Sequence, residues 1–281
     1  MTFRESVLRL IVPAFVLLWL AAGATPAIAQ MKPDSFVIRG GGLVASFGSD
    51  LRLDVTNGER GTTISFENDL GFTHTHGTYF FEGGWRITDR HRLYASFTDV
   101  KRDATKAGIS EPITIAGTTF QVGANLQAFI DTSYLTLDYG FALVKNDKVD
   151  VVATIGISSV KTHTGAGLQV QTTLPGSVSR SLQTDTEDRV NFPVPGVQFQ
   201  FKAHPHIAIT GYTRFIKATI EGVTASSVDG RGGVEFPLSS HVGFGGAYYF
   251  NRVMQEGSRN RFTGKLTYSF HGPQFYGLVH F

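Results

Sequence analysis

The chain has 281 residues, of which 42% are hydrophobic, 12% aromatic and only 17% charged, and its formal net charge is +2. Ordinary soluble domains carry roughly 25% charged residues, and so small a net charge supplies no field for nucleic acid. The absence of cysteine excludes thiol catalysis, disulfide staples and cysteine zinc sites, while 32 glycines and 23 phenylalanines suit strands and tight bends better than helices.

The first element is an export signal. Arg4 and Arg9 flank a short polar start, an apolar run follows from Leu10 to Leu20, and Ala27-Ile28-Ala29 offers the small residues that a signal peptidase reads. This divides the chain into a secretory signal peptide, 1–29, and a mature part, 30–281, beginning at Gln30. Removing Arg4, Arg9 and Glu5 from 25 basic and 23 acidic residues leaves 23 and 22, close to neutrality. Nothing after Gln30 is apolar for long enough to span a bilayer as a helix. A secreted chain can still enter a membrane as a closed barrel, because closure pairs every backbone group.

The mature sequence carries the period-two pattern of such strands. Leu135, Leu137, Tyr139, Phe141 and Leu143 alternate with Tyr134, Thr136, Asp138, Gly140 and Ala142. Val149 to Ile157 alternates with Asp150 to Ser158, and Val197, Phe199 and Phe201 alternate with Gln198, Gln200 and Lys202. Phe262, Gly264, Leu266, Tyr268 and Phe270 alternate with Arg261 to Ser269. Gly, Ser and Thr stand between the apolar positions where a soluble sandwich would place charges. Tyr79, Phe81 and Trp85, Tyr248 and Phe250, and Phe275 and Tyr276 cluster near strand ends as interfacial girdles do.

Short connections at 88–90, 145–148, 204–205 and 237–240 contrast with long ones over 48–71, 103–125 and 164–191. This predicts an all-β, antiparallel up-and-down barrel of ten strands at about 36–47, 72–87, 91–102, 126–144, 149–162, 192–203, 206–221, 227–237, 241–254 and 260–281, with both termini on the periplasmic side. Eight and twelve are the neighbouring counts; a further hairpin within 49–66 gives twelve. In the last strand the lipid-facing parity runs on even numbers through Phe270 and on odd numbers from Phe275. A bulge at His271-Gly272-Pro273-Gln274 accounts for the change, and a turn there would give eleven strands.

The terminal Tyr276-Gly277-Leu278-Val279-His280-Phe281 resembles the signal read by the outer-membrane barrel assembly machinery, with Phe275, Val279 and Phe281 as its apolar positions. By pattern, with 61–71 and 85–93 as its most specific pieces, the mature chain resembles the small outer-membrane barrels that include the membrane domain of outer membrane protein A and outer membrane protein W. The resemblance implies a cell outer-membrane location, contact with outer-membrane lipid and lipopolysaccharide, and the barrel assembly machinery as a partner in biogenesis. It carries over no catalytic residue and no cofactor. The peptidoglycan-binding domain that follows some such barrels has no counterpart before the end at Phe281.

Inward positions carry both signs: Glu82, Asp138, Asp150, Asp229 and Glu235 against Arg39, Arg86, Arg92, Lys202, Arg214, Arg231 and Lys265. A barrel near eight strands is filled by its side chains, whereas open channels come at about 16–18 strands. The expectation is an occluded, ion-paired lumen and a structural or surface-interaction role. Two alternatives stand beside it. One is a narrow channel for small or hydrophobic solutes. The other is a barrel-embedded enzyme acting on lipid or peptide at the outer rim, with His74 and His76 on one face of a strand and Glu67 and Asp69 just upstream. Two such histidines can also ligate a metal, although no metal is assigned, and the simpler reading is a pair of polar rim residues. His163 beside Ser158, Ser159 and Thr164 is a weaker hydrolase candidate, and His204-Pro205-His206 reads as a turn. Lys161, Arg180 and Lys217, near the outer edge, suit the phosphates of lipopolysaccharide.

Overall fold

The computed structural model describes residues 35–53, 63–106, 113–115, 118–120, 125–169, 181–220, 223–259 and 262–281; the expected signal peptide and Arg180 lie outside them. In chain order the strands are β1 (Phe36–Leu53), β2 (Thr63–Ser65), β3 (Thr75–Arg86), β4 (His91–Lys106), β5 (Ile113–Ile115), β6 (Thr118–Phe120), β7 (Asn125–Lys145), β8 (Val149–Gln169), β9 (Ser181–His204), β10 (Ile207–Ile220), β11 (Val223–Pro237), β12 (Val242–Arg259) and β13 (Phe262–His280). Ten of these form a closed antiparallel barrel, in which each long strand pairs with its neighbour and β13 returns to β1. The short β2 pairs with the far end of β1, and β5 and β6 form a small separate ribbon.

Local chemistry makes the short turns. Thr88 Oγ1 accepts the N–H groups of Arg90 and His91 at 3.2 and 3.0 Å, and Asn146 Oδ1 accepts those of Lys148 and Val149 at 2.9 and 2.7 Å. Ser239 Oγ does the same for His241 and Val242. A side chain that mimics the backbone turns the chain in a few residues. These turns and both ends of the barrel sequence, Phe36 and Phe281, share one rim, called here the turn end. The opposite rim is the loop end.

Alternate side chains divide cleanly. Phe81, Trp85, Leu137, Ile157, Phe199, Phe215, Phe244 and Phe275 point outward and are exposed. Their neighbours, Phe80, Asp138, Thr136, Ser158 and Gln274, are buried inside. Soluble monomers do not expose so continuous an apolar band; it is the lipid-facing belt of a barrel that spans a bilayer.

The structure corrects the sequence reading in three places. The expected loop over 164–191 is partly strand, because β8 and β9 stay paired from Val149–Phe201 as far as Gln169–Ser181. Beyond the belt both faces of a hairpin meet water, so no apolar alternation marks it. Second, β13 holds one register against β12 from Val242–Val279 to Arg259–Phe262, with neither bulge nor turn. Against β1 it only omits pairing where Gly272 and Pro273 stand opposite Ala45 and Val44. Tyr268 and Phe270 therefore face the lumen, not lipid, on the same side as Tyr276. The apolar residues change faces because the last strand leaves the membrane while the barrel interior continues. Third, Lys265 lies on the outer face, 3.5 Å from Glu256, which also meets Arg52 at 3.6 Å.

The closing seam depends on glycine. Gly41 stands between Phe80 and Tyr276 on its two neighbouring strands, and those rings meet edge-on across it with centroids 5.8 Å apart. A Cβ on Gly41 would lie 2.6 Å from the Tyr276 Cα. Gly41→Val is expected to destabilise the folded barrel by about 1–3 kcal/mol. The check is the loss of compact, heat-modifiable gel mobility at lower urea than wild type.

Candidate functional site

The lumen collects the chemistry of this protein, and it is layered. At the turn end Arg92 Nη1 lies 2.5 Å from Asp150 Oδ2, with Arg86 Nη2 4.0 Å from the same oxygen. These residues help line a cavity of about 120 Å³, together with Arg39, Glu82, Tyr94, Gln200 and Arg231. Deeper in, Arg39 grips Glu235 through Nε at 2.7 Å and Nη2 at 3.3 Å. Tyr276 and Thr210 also donate to Glu235, at 3.1 and 3.3 Å. Tyr276 reaches Glu235 by passing over Gly245, where a Cβ would meet its ring at 2.6 Å. Arg231 meets Glu82 at 2.8 Å, and Arg214 holds both Asp138 at 2.8 Å and Asp229 at 3.1 Å.

Above this polar floor lies an apolar layer. Leu43, Ala45, Phe47, Val100, Tyr249, Tyr268 and Phe270 are buried together, with Tyr134 and Tyr212 packed against them. Phe270 is fully enclosed, at 0% exposure. The Phe47 and Phe270 rings stack with centroids 5.4 Å apart.

A cap closes the loop end. After β2 the chain folds back so that Phe66, Leu70 and Phe72 pack on Ala104, Ala128 and Ile130. Gly71, at φ 80°, supplies the left-handed residue this reversal needs. Glu67 enters with the segment and receives Arg102 Nη2 at 2.6 Å and the Ser49 N–H at 2.9 Å. The Arg102 guanidinium lies 4.2 Å from the Phe47 ring centroid and 5.1 Å from that of Phe72, within cation–π range.

The residues singled out in the sequence thus separate. Glu82 and Arg231, Asp138 and Arg214, and Arg86 and Asp150 come together inside; Lys202 shares their face but is exposed at the turn-end rim. Lys265 is on the outside. Glu67 is committed to Arg102, and Asp69 accepts the Ser65 N–H at 2.7 Å. His74 is exposed, His76 is half-buried beside it, and no hydrogen bond joins either imidazole to Glu67 or Asp69 among the described residues. The described residues hold no group of three or more His, Asp or Glu able to bind a metal. His163 projects outward against Phe129, whereas Ser158 faces the lumen and pairs with Thr136 at 3.0 Å. His204 and His206 flank the expected turn. Phe275 and Phe281 are exposed on the outer face. Sequence reasoning overlooked Arg102, although counting by twos along β4 from Arg92 reaches it on the inward face.

Glu67→Gln and Arg102→Met are each expected to destabilise the barrel by about 3–5 kcal/mol, because each strands a buried charge or donor. Together they should cost less than the sum of the single changes. His74→Ala and His76→Ala should leave urea unfolding within about 0.5 kcal/mol of wild type. Equilibrium unfolding in lipid vesicles checks all five variants, the four single changes and the double.

No protein-family model matches the chain, and no curated protein matches it in sequence. Among solved structures it is similar to the outer membrane protease OmpT from Escherichia coli, with a TM-score of 0.60 at 9% identity over 91% of this chain and 99% of that one. Looser matches include Ail, the attachment invasion locus protein of Yersinia pestis (TM-score 0.32, 10% identity, 85% and 98% covered). The outer membrane protein OprG from Pseudomonas aeruginosa also matches loosely (TM-score 0.30, 12% identity, 88% and 97% covered). The chain has the fold of the small outer-membrane β-barrels.

Proposed function

We propose that this protein is an integral barrel of the bacterial outer membrane with an occluded lumen, acting as a structural or surface-interaction element through its loop end. The observation that carries this reading is the stack of lumen contents. An ionic floor, an aromatic layer centred on Phe270 and the Glu67–Arg102 cap follow one another along the axis. Solute passage would require breaking buried charge pairs and displacing packed rings together. The belt and the closed backbone favour insertion in lipid. Short turns belong on the periplasmic side of such barrels, which places the turn end there. The signal over 1–29 supplies export, and Phe275, Val279 and Phe281 supply the assembly signal.

In planar bilayers the refolded wild-type protein is expected to give no stepwise conductance. A variant combining Phe47→Ala, Tyr249→Ala and Phe270→Ala should conduct measurably if the aromatic layer is the seal. Steady channels from wild type would replace this reading with the narrow-channel alternative.

Lipopolysaccharide is the proposed partner on the outer face. Lys161 and Lys217 both lie on outward-facing positions of the barrel strands. Lys161 pairs with Glu187 at 2.9 Å, and this contact holds the Glu187 carboxyl below its usual range. Charge reversal of Lys161 and Lys217 is expected to weaken lipopolysaccharide binding at least several-fold at low salt; unchanged binding by surface plasmon resonance would remove this partner.

A further inference from the structure

We propose that the cup at the turn end of the lumen is a binding site for a small oxyanion, of the class of phosphate or a terminal phosphate monoester, that enters from the aqueous side of that rim. The reading rests on how charge is distributed along the lumen. Five arginines and five carboxylates face inward through the polar floor, but they are not matched locally. Deep in the barrel one guanidinium, that of Arg214, serves two carboxylates, Asp138 and Asp229. At the mouth Arg92 lies 2.5 Å and Arg86 4.0 Å from one oxygen of Asp150, and the cavity there is lined by five arginines against two carboxylates, Glu82 and Asp150. The mouth thus carries an excess positive charge and the depth an excess negative one. Exposed Lys202 at the same rim adds to the former.

Donors are left over along the cavity that runs inward from this mouth. Arg92 is buried, at 6% exposure, and its guanidinium lies against the Tyr94 hydroxyl as well as Asp150, yet Nε and Nη2 have no well-aligned acceptor among the described residues, just as Asp150 Oδ1 has no donor. Arg231, 5% exposed, touches Glu82 and leaves Nε without an acceptor. Buried guanidinium donors normally find partners, and a planar fork of N–H groups matches the oxygens of a phosphate. Both side chains line the cavity of about 120 Å³. That is room for several water-sized probes, enough for a tetrahedral oxyanion. Arg86 keeps 25% of its side chain exposed, so the cup is open to solvent. Gln200 and Tyr94 add neutral polar groups to the wall. The aromatic layer above the floor makes the cup blind, so the anion binds without crossing.

Asp150 gives the test its sign. Its carboxylate occupies Arg92 and competes for the same donors as the incoming anion. If the cup is an oxyanion site, Asp150→Asn should tighten inorganic phosphate binding several-fold. If the cluster serves only the fold, the same change should do nothing for phosphate or should disrupt the barrel. The experiment is calorimetric titration of inorganic phosphate into the whole refolded barrel in maltoside micelles, in a phosphate-free buffer of low chloride, with glycerol 3-phosphate and acetate as comparison ligands. Expected are saturable one-site binding of phosphate and the monoester, at least tenfold weaker binding to Arg92→Gln, and tighter binding to Asp150→Asn. Arg52→Gln, on the outer face, should bind as wild type does. Preference for acetate over phosphate would overturn the phosphate assignment. No saturable binding up to tens of millimolar by folded wild type, or equal binding by wild type and Asp150→Asn, would overturn the site itself. Conductance plays no part in these readouts, so their failure leaves the occluded-barrel reading standing.

Discussion

The antiparallel seam between β1 and β13 is the contact on which the rest of this molecule depends. In hydrocarbon an unpaired backbone N–H or C=O costs several kcal/mol, so a sheet that failed to close there would have two unsatisfied edges. Pairing from Val37–His280 to Leu53–Gly264 removes both edges. Closure also fixes which side of every strand is inside. Once Gly41 lets Phe80 and Tyr276 meet over the seam, the odd and even positions of both strands are assigned, and each neighbouring strand inherits its register.

That assignment creates the problem the lumen has to solve. Ten tilted strands enclose a space that side chains must fill, and the sequence fills it with charge at one end and rings at the other. The ionic floor holds because nearly every charge meets an opposite one at hydrogen-bonding distance; a lone buried ion would not be tolerated. The aromatic layer needs no such matching and supplies the tight seal. Arg102 links the two kinds of chemistry at the loop end, lying against Phe47 and Phe72 while its head group meets Glu67. Local neutrality fails in opposite senses at Arg214, which serves two carboxylates, and at Asp150, which faces two arginines where solvent can reach it.

Where one face of a strand meets lipid and the other meets polar side chains, the sequence is readable. The strands around Leu135–Leu143 and Val197–Phe201 fall where the alternation places them, as do the turns around Thr88, Asn146 and Pro205. The limits appear where the surroundings of a strand change along its length. Phe262 to Phe270 looks lipid-facing because alternation reports a wet side and a dry side without saying which is the lumen. Inside the outer half of this barrel the dry side is the interior. Lys265 was misplaced for the same reason. The extended hairpin of β8 and β9 was invisible because two wet faces carry no pattern. As for the site, the identities of most lumen charges were readable from parity, but their partners were not. Arg39 and Glu235 are 196 residues apart, and only the closed sheet brings them together. The His74–His76 pair shows the converse: adjacency in sequence put two imidazoles near two carboxylates, and the fold then committed each carboxylate elsewhere.

Because the chain has no cysteine, the register of β13 can be read one position at a time with single-cysteine variants from 266 to 278, each carrying a fluorescent label and reconstituted with spin-labelled lipid. The structure predicts an unbroken period of two, in which labels at 271, 273, 275 and 277 are quenched from the bilayer while those at 268, 270, 272, 274, 276 and 278 are shielded. A reversal of phase across 271–274, with position 270 quenched as strongly as position 275, would contradict the aromatic seal and the occluded lumen built upon it.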